Sequence, residues 1–273
     1  MHAVTRAVYQ LYLEQYHQDT CNINRCDWNI AWIDRYGMNF LRTLQKHQKI
    51  NYIPGIELLS KKKNFVRIVH YLTSRLQHHY AFVPLSWDLP RMYREFVQYH
   101  TVMSDMESTS SQDAQKPTYI VKPGASCQGS GIYLIQNPKD LRTRHPSTSI
   151  VVSKYIDNPL LIQNFKFDLR IYVLVTSSNP PRIYVFEEGL ARFCTQTYEF
   201  PCASNLQSIY AHLTNYTINK TNRAGCGGEK KSQNTDNFKW SLSQLNEYLV
   251  AEYGARVCAG VWDRIHVIIV STV

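Results

Sequence analysis

A lysine followed by small residues forms the stretch of this sequence best suited to chemistry. Residues 119–135 contain a short apolar strand ending in Lys122, a turn with glycines at positions 124, 129 and 131, and a second apolar strand. Glycines let backbone N–H groups approach an anion, and the lysine adds positive charge. The pattern predicts a phosphate-binding loop. A hairpin with a Gly-rich turn is the alternative, because Ser130 and Gly131 stand where a Walker A motif has Lys and Ser or Thr.

A second group of charged residues lies on a predicted β-hairpin. Apolar and polar residues alternate along 167–176, so Asp168 and Arg170 share one face. A turn at 179–181 leads into a partner strand, and the charged residues nearby are Lys166, Arg182, Glu187, Glu188 and Arg192. We favour cross-strand pairing of these charges, at about 0.2–1 kcal/mol per pair; a site for a charged substrate is the alternative.

Two further segments carry groups that bind ligands. Residues 149–156 form a β-branched strand that ends at the turn 157–159. Backbone groups at such a strand end can bind a flat ring such as adenine, although the spacing alone favours an ordinary buried strand. Residues 212–220 concentrate hydrogen-bonding side chains on a short segment.

The remaining pattern predicts helices separated by polar segments. An amphipathic helix follows residues 61–63, three lysines that we interpret as a solvated helix end rather than a binding patch. Pro84 and Pro90 are predicted to mark a connection, another helix is predicted to end near Met103, and residues 104–117 are predicted to form a polar loop. Two helical patterns close the chain, at 242–253 and 261–269.

Composition indicates a globular protein with an acidic partner. The chain has 273 residues, 44% of them hydrophobic, which is enough for a large core and two lobes. Its net charge of +9 suits nucleic acid, an anionic membrane or an acidic polypeptide. Seven scattered cysteines show no zinc-binding spacing, and neither a signal peptide nor a membrane span is visible. We therefore expect a reducing, cytosolic compartment and no membrane insertion.

Five segments in this order resemble the tubulin tyrosine ligase-like family, and above all its tubulin polyglutamylases. The resemblance covers about residues 26–273 and is carried by these motifs: Lys122-Pro123 with Cys127-Gln128-Gly129-Ser130-Gly131-Ile132, Tyr155-Ile156-Asp157-Asn158-Pro159-Leu160-Leu161-Ile162, Lys166-Phe167-Asp168-Leu169-Arg170-Ile171-Tyr172, Glu188-Gly189-Leu190-Ala191-Arg192-Phe193 and His212-Leu213-Thr214-Asn215-Tyr216. Each motif alone is weak evidence, whereas five in order make chance similarity very improbable.

The resemblance implies an α+β, ATP-grasp-like fold in which two lobes, built on mixed and antiparallel sheets, close on ATP. We accordingly expect an N-terminal extension at 1–21, a small N-terminal lobe at 22–85, a central lobe at 86–157 and a C-terminal lobe at 158–273. The sequence stops before the family's magnesium-binding aspartate and its Leu-Glu-Val-Asn segment. The C-terminal lobe is therefore expected to be truncated, with the metal ligands beyond Val273.

The resemblance also implies roles for individual residues. The expected ATP contacts are Lys122, Gln128 and Gly129 on the phosphates, Ser153, Lys154, Tyr155 and Ile156 at the adenine, Lys166, Phe167 and Asp168 in the nucleotide pocket, and Thr214 and Asn215 near ribose and phosphate. The residues expected to hold the incoming glutamate are Gln128, Arg192, Tyr216 and Lys239. Lys122 and Arg192 are the two expected to act in catalysis.

These roles predict a tubulin polyglutamylase, which uses ATP and Mg²⁺ to ligate free L-glutamate to glutamate side chains in the acidic C-terminal tails of tubulin. An acyl phosphate forms first, and the amine then displaces phosphate; this chemistry needs positioning and positive charge more than an acid–base pair. Microtubules are the expected partner, in the cytoplasm and cytoskeleton, including cilium, basal body or axoneme, and nucleic acid is not. The missing metal ligands, and Ser130 where many relatives have arginine, make a catalytically dead ATP- and tubulin-binding module the alternative.

Overall fold

The computed structural model describes residues 28–31, 33, 38–110, 116–124, 130–142, 149–225 and 238–273. By its internal contacts the chain divides into two units, residues 1–56 and 57–273. In the described part of the first unit, strand β1 (Ile30–Ala31) pairs in parallel with β2 (Lys49–Ile50), and helix α1 (Met38–Thr43) separates them in sequence. The rings of Trp28 and Phe40 stack with centroids 6.3 Å apart.

The second unit contains two four-stranded sheets, a hairpin and the longer helices. Its helices are α2 (Glu57–Ser60), α3 (Lys62–Leu76), α4 (Tyr93–Ser110), α5 (Ile209–His212), α6 (Tyr216–Gly225), α7 (Leu242–Tyr253) and α8 (Ala255–Thr272). Its strands are β3 (Ser86–Leu89), β4 (Tyr119–Pro123), β5 (Tyr133–Ile135), β6 (Ile150–Lys154), β7 (Leu161–Ile162), β8 (Phe165–Arg170), β9 (Val173–Ser178), β10 (Pro181–Val185), β11 (Leu190–Phe193) and β12 (Lys239–Ser241). No helix in the described part of the chain combines the length and hydrophobicity of a membrane span.

The first sheet is antiparallel, with strand order β3-β6-β4-β5. Apolar residues on one of its faces form a hydrophobic cluster with α4, in which Phe96 and Tyr119 are fully buried and meet edge to face at 5.0 Å. Burying one such aromatic side chain contributes about 1.5–3 kcal/mol to folding. Because side chains alternate along β4, Lys122 projects from the opposite face of the sheet.

The second sheet is also antiparallel, in the order β12-β11-β8-β7. Its apolar face packs against α7 and α8 through a second hydrophobic cluster that includes Phe167, Phe193 and Leu245. The alternation along β8 therefore places Lys166 and Asp168 on the other face. Strand β12 runs directly into α7, which begins with a capping box between Ser241 and Gln244.

Strands β9 and β10 form a separate antiparallel hairpin with a solvent-exposed apolar face. Register pairs Leu174 with Tyr184, and the Phe186 N–H donates to the Tyr172 carbonyl oxygen at 2.9 Å. These four side chains, which we name the aromatic ribbon, are between 50% and 65% exposed. A contiguous apolar patch of this kind is uncommon on a monomer surface.

Three sequence predictions about elements were wrong. The loop predicted to begin at residue 104 is helical as far as Ser110, because neither glycine nor proline interrupts the chain there. The alternating run at 167–176 is divided between β8 and β9, which belong to different sheets. The segment between Pro84 and Pro90, predicted to be a connection, contains β3; this strand lies at a sheet edge, where flanking prolines cost no ladder hydrogen bonds.

Candidate functional site

Three lysines from three elements form the positively charged centre of the second unit. Lys62 begins α3 and donates a hydrogen bond from Nζ to the Pro123 carbonyl oxygen at 3.2 Å. Lys122 lies on β4 and Lys166 on β8, both partly buried. Among the described residues, neither Lys122 nor Lys166 forms an ion pair with a carboxylate. We refer to these three residues as the lysine cluster.

Burial and mutual repulsion lower the pKa of both strand lysines. For Lys122, burial is the main cause of the lowered pKa, and the charge of Lys62 adds to it. The pKa of Lys166 is lowered to about 8, mainly by burial; Cys194 and Asp168 oppose the change, and the charge of Lys122 adds to it. Closely spaced, partly desolvated cations that repel one another are stabilised by an anion placed between them. The lysine cluster therefore fits a polyphosphate.

A buried hydrogen-bond network holds Lys166 from behind. Its Nζ donates to the Tyr155 hydroxyl oxygen at 2.7 Å and to the His212 carbonyl oxygen at 3.1 Å. The Tyr155 hydroxyl lies 3.2 Å from His212 Nδ1, and His212 Nε2 lies 3.2 Å from the Asn205 carbonyl oxygen. His212 is 1% exposed, and its pKa is lowered by burial and by the charge of Lys166, which favours the neutral imidazole.

An arginine–carboxylate pair lies beside the lysine cluster on the same face of the second sheet. Register places Arg192 of β11 opposite Asp168 of β8. The guanidinium donates from Nε to Asp168 Oδ1 at 2.7 Å and from Nη2 to Oδ2 at 2.5 Å, and the Thr214 hydroxyl donates to Oδ2 at 2.8 Å. Two of the five guanidinium N–H groups are thus used, and the others can bind a further anion.

A small cavity lies between Arg192 on β11 and Lys239 on β12. Its lining includes Arg192, Thr214, Tyr216 and Lys239. Lys239 faces Arg192 across the β11–β12 pairing, and its Nζ lies 3.6 Å from the centroid of the Tyr216 ring. The structure therefore brings together three of the residues predicted to hold glutamate, Arg192, Tyr216 and Lys239.

The predicted adenine hinge lies at the end of β6. The Lys154 N–H donates to the Leu85 carbonyl oxygen at 2.7 Å, and the Tyr155 N–H donates to that of Thr118 at 2.9 Å. The Ser153 side chain is hydrogen-bonded by Ser86 at 2.8 Å. In the described structure no hydrogen bond uses the Ile156 N–H, so this group can bind the edge of a ring.

The other predicted site residues have different surroundings. Phe167 packs on Phe193, with ring centroids 5.4 Å apart, so it supports β8 from the apolar face rather than facing Lys166. The Asn215 carbonyl oxygen accepts from the N–H and the side-chain amide of Asn219, both at 3.1 Å. Gln128 and Gly129 lie outside the described residues.

Several residues that build the site were not predicted. Lys62 belongs to the lysine run that was interpreted as a solvated helix end, and only its contact with Pro123 places it at the lysine cluster. Asn219, 5% exposed, accepts from the Thr195 N–H and hydroxyl and donates to the Leu213 carbonyl oxygen, which fixes the segment carrying Thr214. The hydrogen-bonding density of residues 212–220 was the available signal for Asn219 and His212.

The arrangement defines a class of site: an anion-binding face between two antiparallel sheets, built from the lysine cluster and the Asp168–Arg192 pair. No group of three or more His, Cys, Asp or Glu side chains within the described ranges is suited to hold a metal ion. The lysine cluster fits the phosphates of a nucleotide.

Comparison with known proteins gives the family. Residues 41–273 match the model of the tubulin-tyrosine ligase family, so the chain belongs to it. Tubulin polyglutamylase TTLL13 of Homo sapiens is 34% identical over 90% of this chain, TTLL5 of Homo sapiens is 38% identical over 83%, and TTLL6 of Homo sapiens is 38% identical over 71%. The family predicted from the motifs is confirmed, as is the similarity to its polyglutamylases.

The fold class is confirmed at the level of an ATP-grasp-like tubulin-tyrosine ligase domain that combines helices with antiparallel sheets. The chain spans 28% of the TTLL13 sequence, 20% of TTLL6 and 16% of TTLL5. It therefore corresponds to a minor part of the length of these relatives.

Proposed function

We propose that this chain carries the ATP- and glutamate-binding face of a tubulin polyglutamylase, which ligates glutamate to glutamate side chains of tubulin tails. The observation that supports the proposal is the lysine cluster beside the Asp168–Arg192 pair in a chain of the tubulin-tyrosine ligase family. The lysine cluster binds the phosphates of ATP, and Arg192 of the pair binds an amino-acid carboxylate.

Lys122 and Lys166 neutralise the triphosphate of ATP, and the Ile156 N–H binds the adenine edge. Because both lysines are partly buried, their charges act through a lower effective dielectric than surface charges do. We assign the two sheets to the central lobe (86–157) and the C-terminal lobe (158–273), which close on ATP. The boundaries of the extension (1–21) and of the N-terminal lobe (22–85) stay predictions.

Arg192, Lys239 and Tyr216 hold free glutamate next to the phosphates. A carboxylate oxygen of the acceptor tail attacks the γ-phosphorus, and ADP leaves with the bonding electrons. The glutamate amine then attacks the acyl carbon, phosphate leaves, and the amine proton passes to solvent. These steps need alignment and compensation of negative charge, which lysine and arginine side chains supply. No described residue is assigned to magnesium.

The positive chain suits the acidic tubulin tail as acceptor, and the names of the relatives support tubulin as the substrate. We accordingly place the protein on microtubules of the cytoskeleton, including those of cilia, basal bodies and axonemes. Acceptor tails that lack glutamate should not be modified.

The proposal is tested by incubating this chain with ATP, labelled glutamate and microtubules, and by measuring ATP affinity separately by calorimetry. Lys166→Ala should weaken ATP binding by roughly 10- to 100-fold, the range for losing a hydrogen bond to a charged group. The matched control is Lys139→Ala, which removes an exposed lysine from the 3-10 helix Pro138–Asp140.

Label in the tails of intact microtubules, and none in microtubules with the tails removed by protease, is the expected result. An unchanged ATP affinity in Lys166→Ala, with a normal melting temperature, would contradict the phosphate assignment. Equal loss of affinity in Lys139→Ala would indicate a nonspecific charge effect and would also contradict it.

A further inference from the structure

Behind Lys166, three groups form a chain of hydrogen bonds: the Tyr155 hydroxyl, the His212 imidazole and the Asn205 carbonyl oxygen. Lys166 Nζ donates to the Tyr155 hydroxyl, and the Tyr155 hydroxyl lies at hydrogen-bond distance from His212 Nδ1. The hydroxyl oxygen thus accepts from Lys166, while His212 lies within reach of the hydroxyl proton. A tyrosine hydroxyl whose proton is held by an acceptor becomes a better acceptor itself.

The imidazole tautomer follows from its second contact. A carbonyl oxygen only accepts, so the 3.2 Å contact with the Asn205 carbonyl requires a hydrogen on His212 Nε2. In the neutral ring Nδ1 is then an acceptor, and it takes the Tyr155 proton. His212 therefore offers the Tyr155 hydroxyl two acceptors, Nδ1 at 3.2 Å and its own carbonyl oxygen at 3.4 Å.

We infer that His212 acts through Tyr155 as a positioning residue, which fixes both the place and the ionisation of the Lys166 ammonium. None of the roles predicted from the family motifs belongs to His212. Its effect on ATP rests on the proposed function; its effect on Lys166 itself does not.

The other groups that face Lys166 act on its charge without holding its position. The Tyr198 ring lies 5.8 Å from Nζ, and Cys194 and Asp168 favour the protonated amine, whereas Lys122 disfavours it. Tyr198 donates its hydroxyl proton to the Asp157 carbonyl oxygen at 2.6 Å, and its hydroxyl is also hydrogen-bonded to Tyr155, so Tyr198 is a second partner of Tyr155 beside His212. Glu199 acts on His212, not on Lys166.

The test measures the ionisation of Lys166 directly, without ATP, by competitive acetylation of the folded chain across the pH range and mass analysis of the Lys166 peptide. Tyr155→Phe should lower the apparent pKa of Lys166 by about one unit, as expected for losing a hydrogen bond to the charged form. His212→Phe should lower it in the same direction by less, because the Tyr155 hydroxyl remains. His212→Asn, which restores an acceptor near Nδ1, should return the pKa towards the wild-type value.

The double variant separates positioning from a general structural effect. The His212 carbonyl oxygen, which accepts directly from Lys166, is retained in the variant. Because the His212 side chain acts only through Tyr155, adding His212→Phe to Tyr155→Phe should cause no further shift. An equal shift in both backgrounds would overturn the inference, and so would an unchanged pKa in Tyr155→Phe. The latter measurement decides the matter even if His212→Phe does not fold.

A second tyrosine–histidine pair provides the matched control. His100 Nδ1 lies 3.3 Å from the Tyr119 hydroxyl, with the rings edge to face, and Tyr119 belongs to the hydrophobic cluster on the face of the first sheet opposite Lys122. His100→Phe should leave the pKa of Lys166 unchanged. If it shifts that pKa as much as His212→Phe does, the shift reflects loosened packing and the inference fails.

ATP binding forms a separate arm. In Tyr155→Phe, the pH above which ATP affinity falls should move down by the same amount as the pKa of Lys166, about one unit. If wild-type protein binds no ATP, the proposed function fails, whereas acetylation still decides the role of His212. If ATP binds and its pH dependence is unaltered in Tyr155→Phe despite a shifted pKa, Lys166 does not contact the phosphates.

Discussion

At the scale of single residues, the Lys166 ammonium is subject to two opposed influences. Partial burial and Lys122 favour the neutral amine, whereas Asp168 and the hydrogen bond to Tyr155 favour the charged one. The resulting pKa of about 8 lies close to the pH of the cell, so a small change in the surroundings alters the charge of this group. A bound polyphosphate is such a change.

ATP binding should therefore take up protons at mildly alkaline pH. An anionic ligand raises the pKa of Lys166, so binding at pH 8 should be accompanied by uptake of up to about half a proton, and by much less at pH 6.5. Calorimetry in buffers of different ionisation enthalpy measures this number. Lys166→Met should abolish the uptake; equal uptake in the variant would assign it to another group.

The same pKa determines how Lys166 affects folding. The unfolded lysine, with a pKa of 10.5, retains its proton between pH 8 and 10.5, whereas the folded one loses it. Lys166 thus makes the free energy of unfolding increase with pH across this window. ATP affinity should decrease as the pH rises through the same window, because Lys166 of the folded protein loses its proton there.

Arg192→Ala should raise the KM for free glutamate at least about tenfold, with a smaller effect on ATP affinity, because Arg192 lines the cavity beside Lys239. Initial rates at saturating ATP measure the change. Arg192→Lys should recover part of the loss, since lysine keeps the charge but not the paired bonds to Asp168. Arg182→Ala, at an exposed position on β10, is the control, and a defect confined to ATP would refute the assignment.

At the scale of elements, short strands and tight junctions bring the site residues together. The second sheet aligns Asp168, Arg192 and Lys239 on three neighbouring strands. Gly189 lies just before β11, where a Cβ atom would overlap the Arg170 carbonyl oxygen and approach Leu242 Cδ1 to 2.9 Å. The junction between this sheet and α7 therefore has no room for a side chain.

Gly189→Ala should destabilise the protein by about 1–3 kcal/mol, because the first clash is with backbone that cannot rotate away. Gly260→Ala is the matched substitution: its Cβ meets nothing within 4 Å, and alanine in a helix interior should stabilise by about 0.5–1 kcal/mol. Urea unfolding of both variants measures the difference. A neutral Gly189→Ala would show that β11 can shift relative to α7.

The sequence predicted correctly the elements that local residue patterns determine. It failed for the features that depend on tertiary contacts. Strand β6 and helices α7 and α8 follow from β-branched residues and from apolar periodicity. The break between β8 and β9 leaves the alternation uninterrupted, so period alone does not reveal the change of sheet. Lys62 resembled any helix-end lysine, since its distance from Pro123 exists only after α3 packs on the first sheet.

At the scale of the whole molecule, charge sets the range of partners. The chain carries a net charge of +9, and its family relatives are named for tubulin polyglutamylation. Long-range attraction of this kind accelerates encounter with an acidic chain and decreases as salt screens it. Composition predicted an acidic partner, but five ordered motifs were needed to choose a polypeptide over nucleic acid.

Binding of an acidic tail peptide should weaken steeply when salt rises from about 0.05 to 0.3 M, because the Debye length shortens over this range. Fluorescence anisotropy with a labelled glutamate-rich peptide measures the affinity. A peptide with glutamine in place of glutamate should bind weakly at both concentrations. Equal, salt-independent binding of the two peptides would show that charge does not select the acceptor.

Salt should affect binding at the aromatic ribbon in the opposite direction to binding at the lysine cluster. Excluded salts such as sulfate strengthen contacts between apolar surfaces while they screen charges. A hydrophobic dye bound at Tyr172, Leu174, Tyr184 and Phe186 should therefore brighten under the conditions that release an anion from the lysine cluster. The ionic composition of the medium thus determines whether the lysine cluster or the aromatic ribbon is the surface that binds other molecules more strongly.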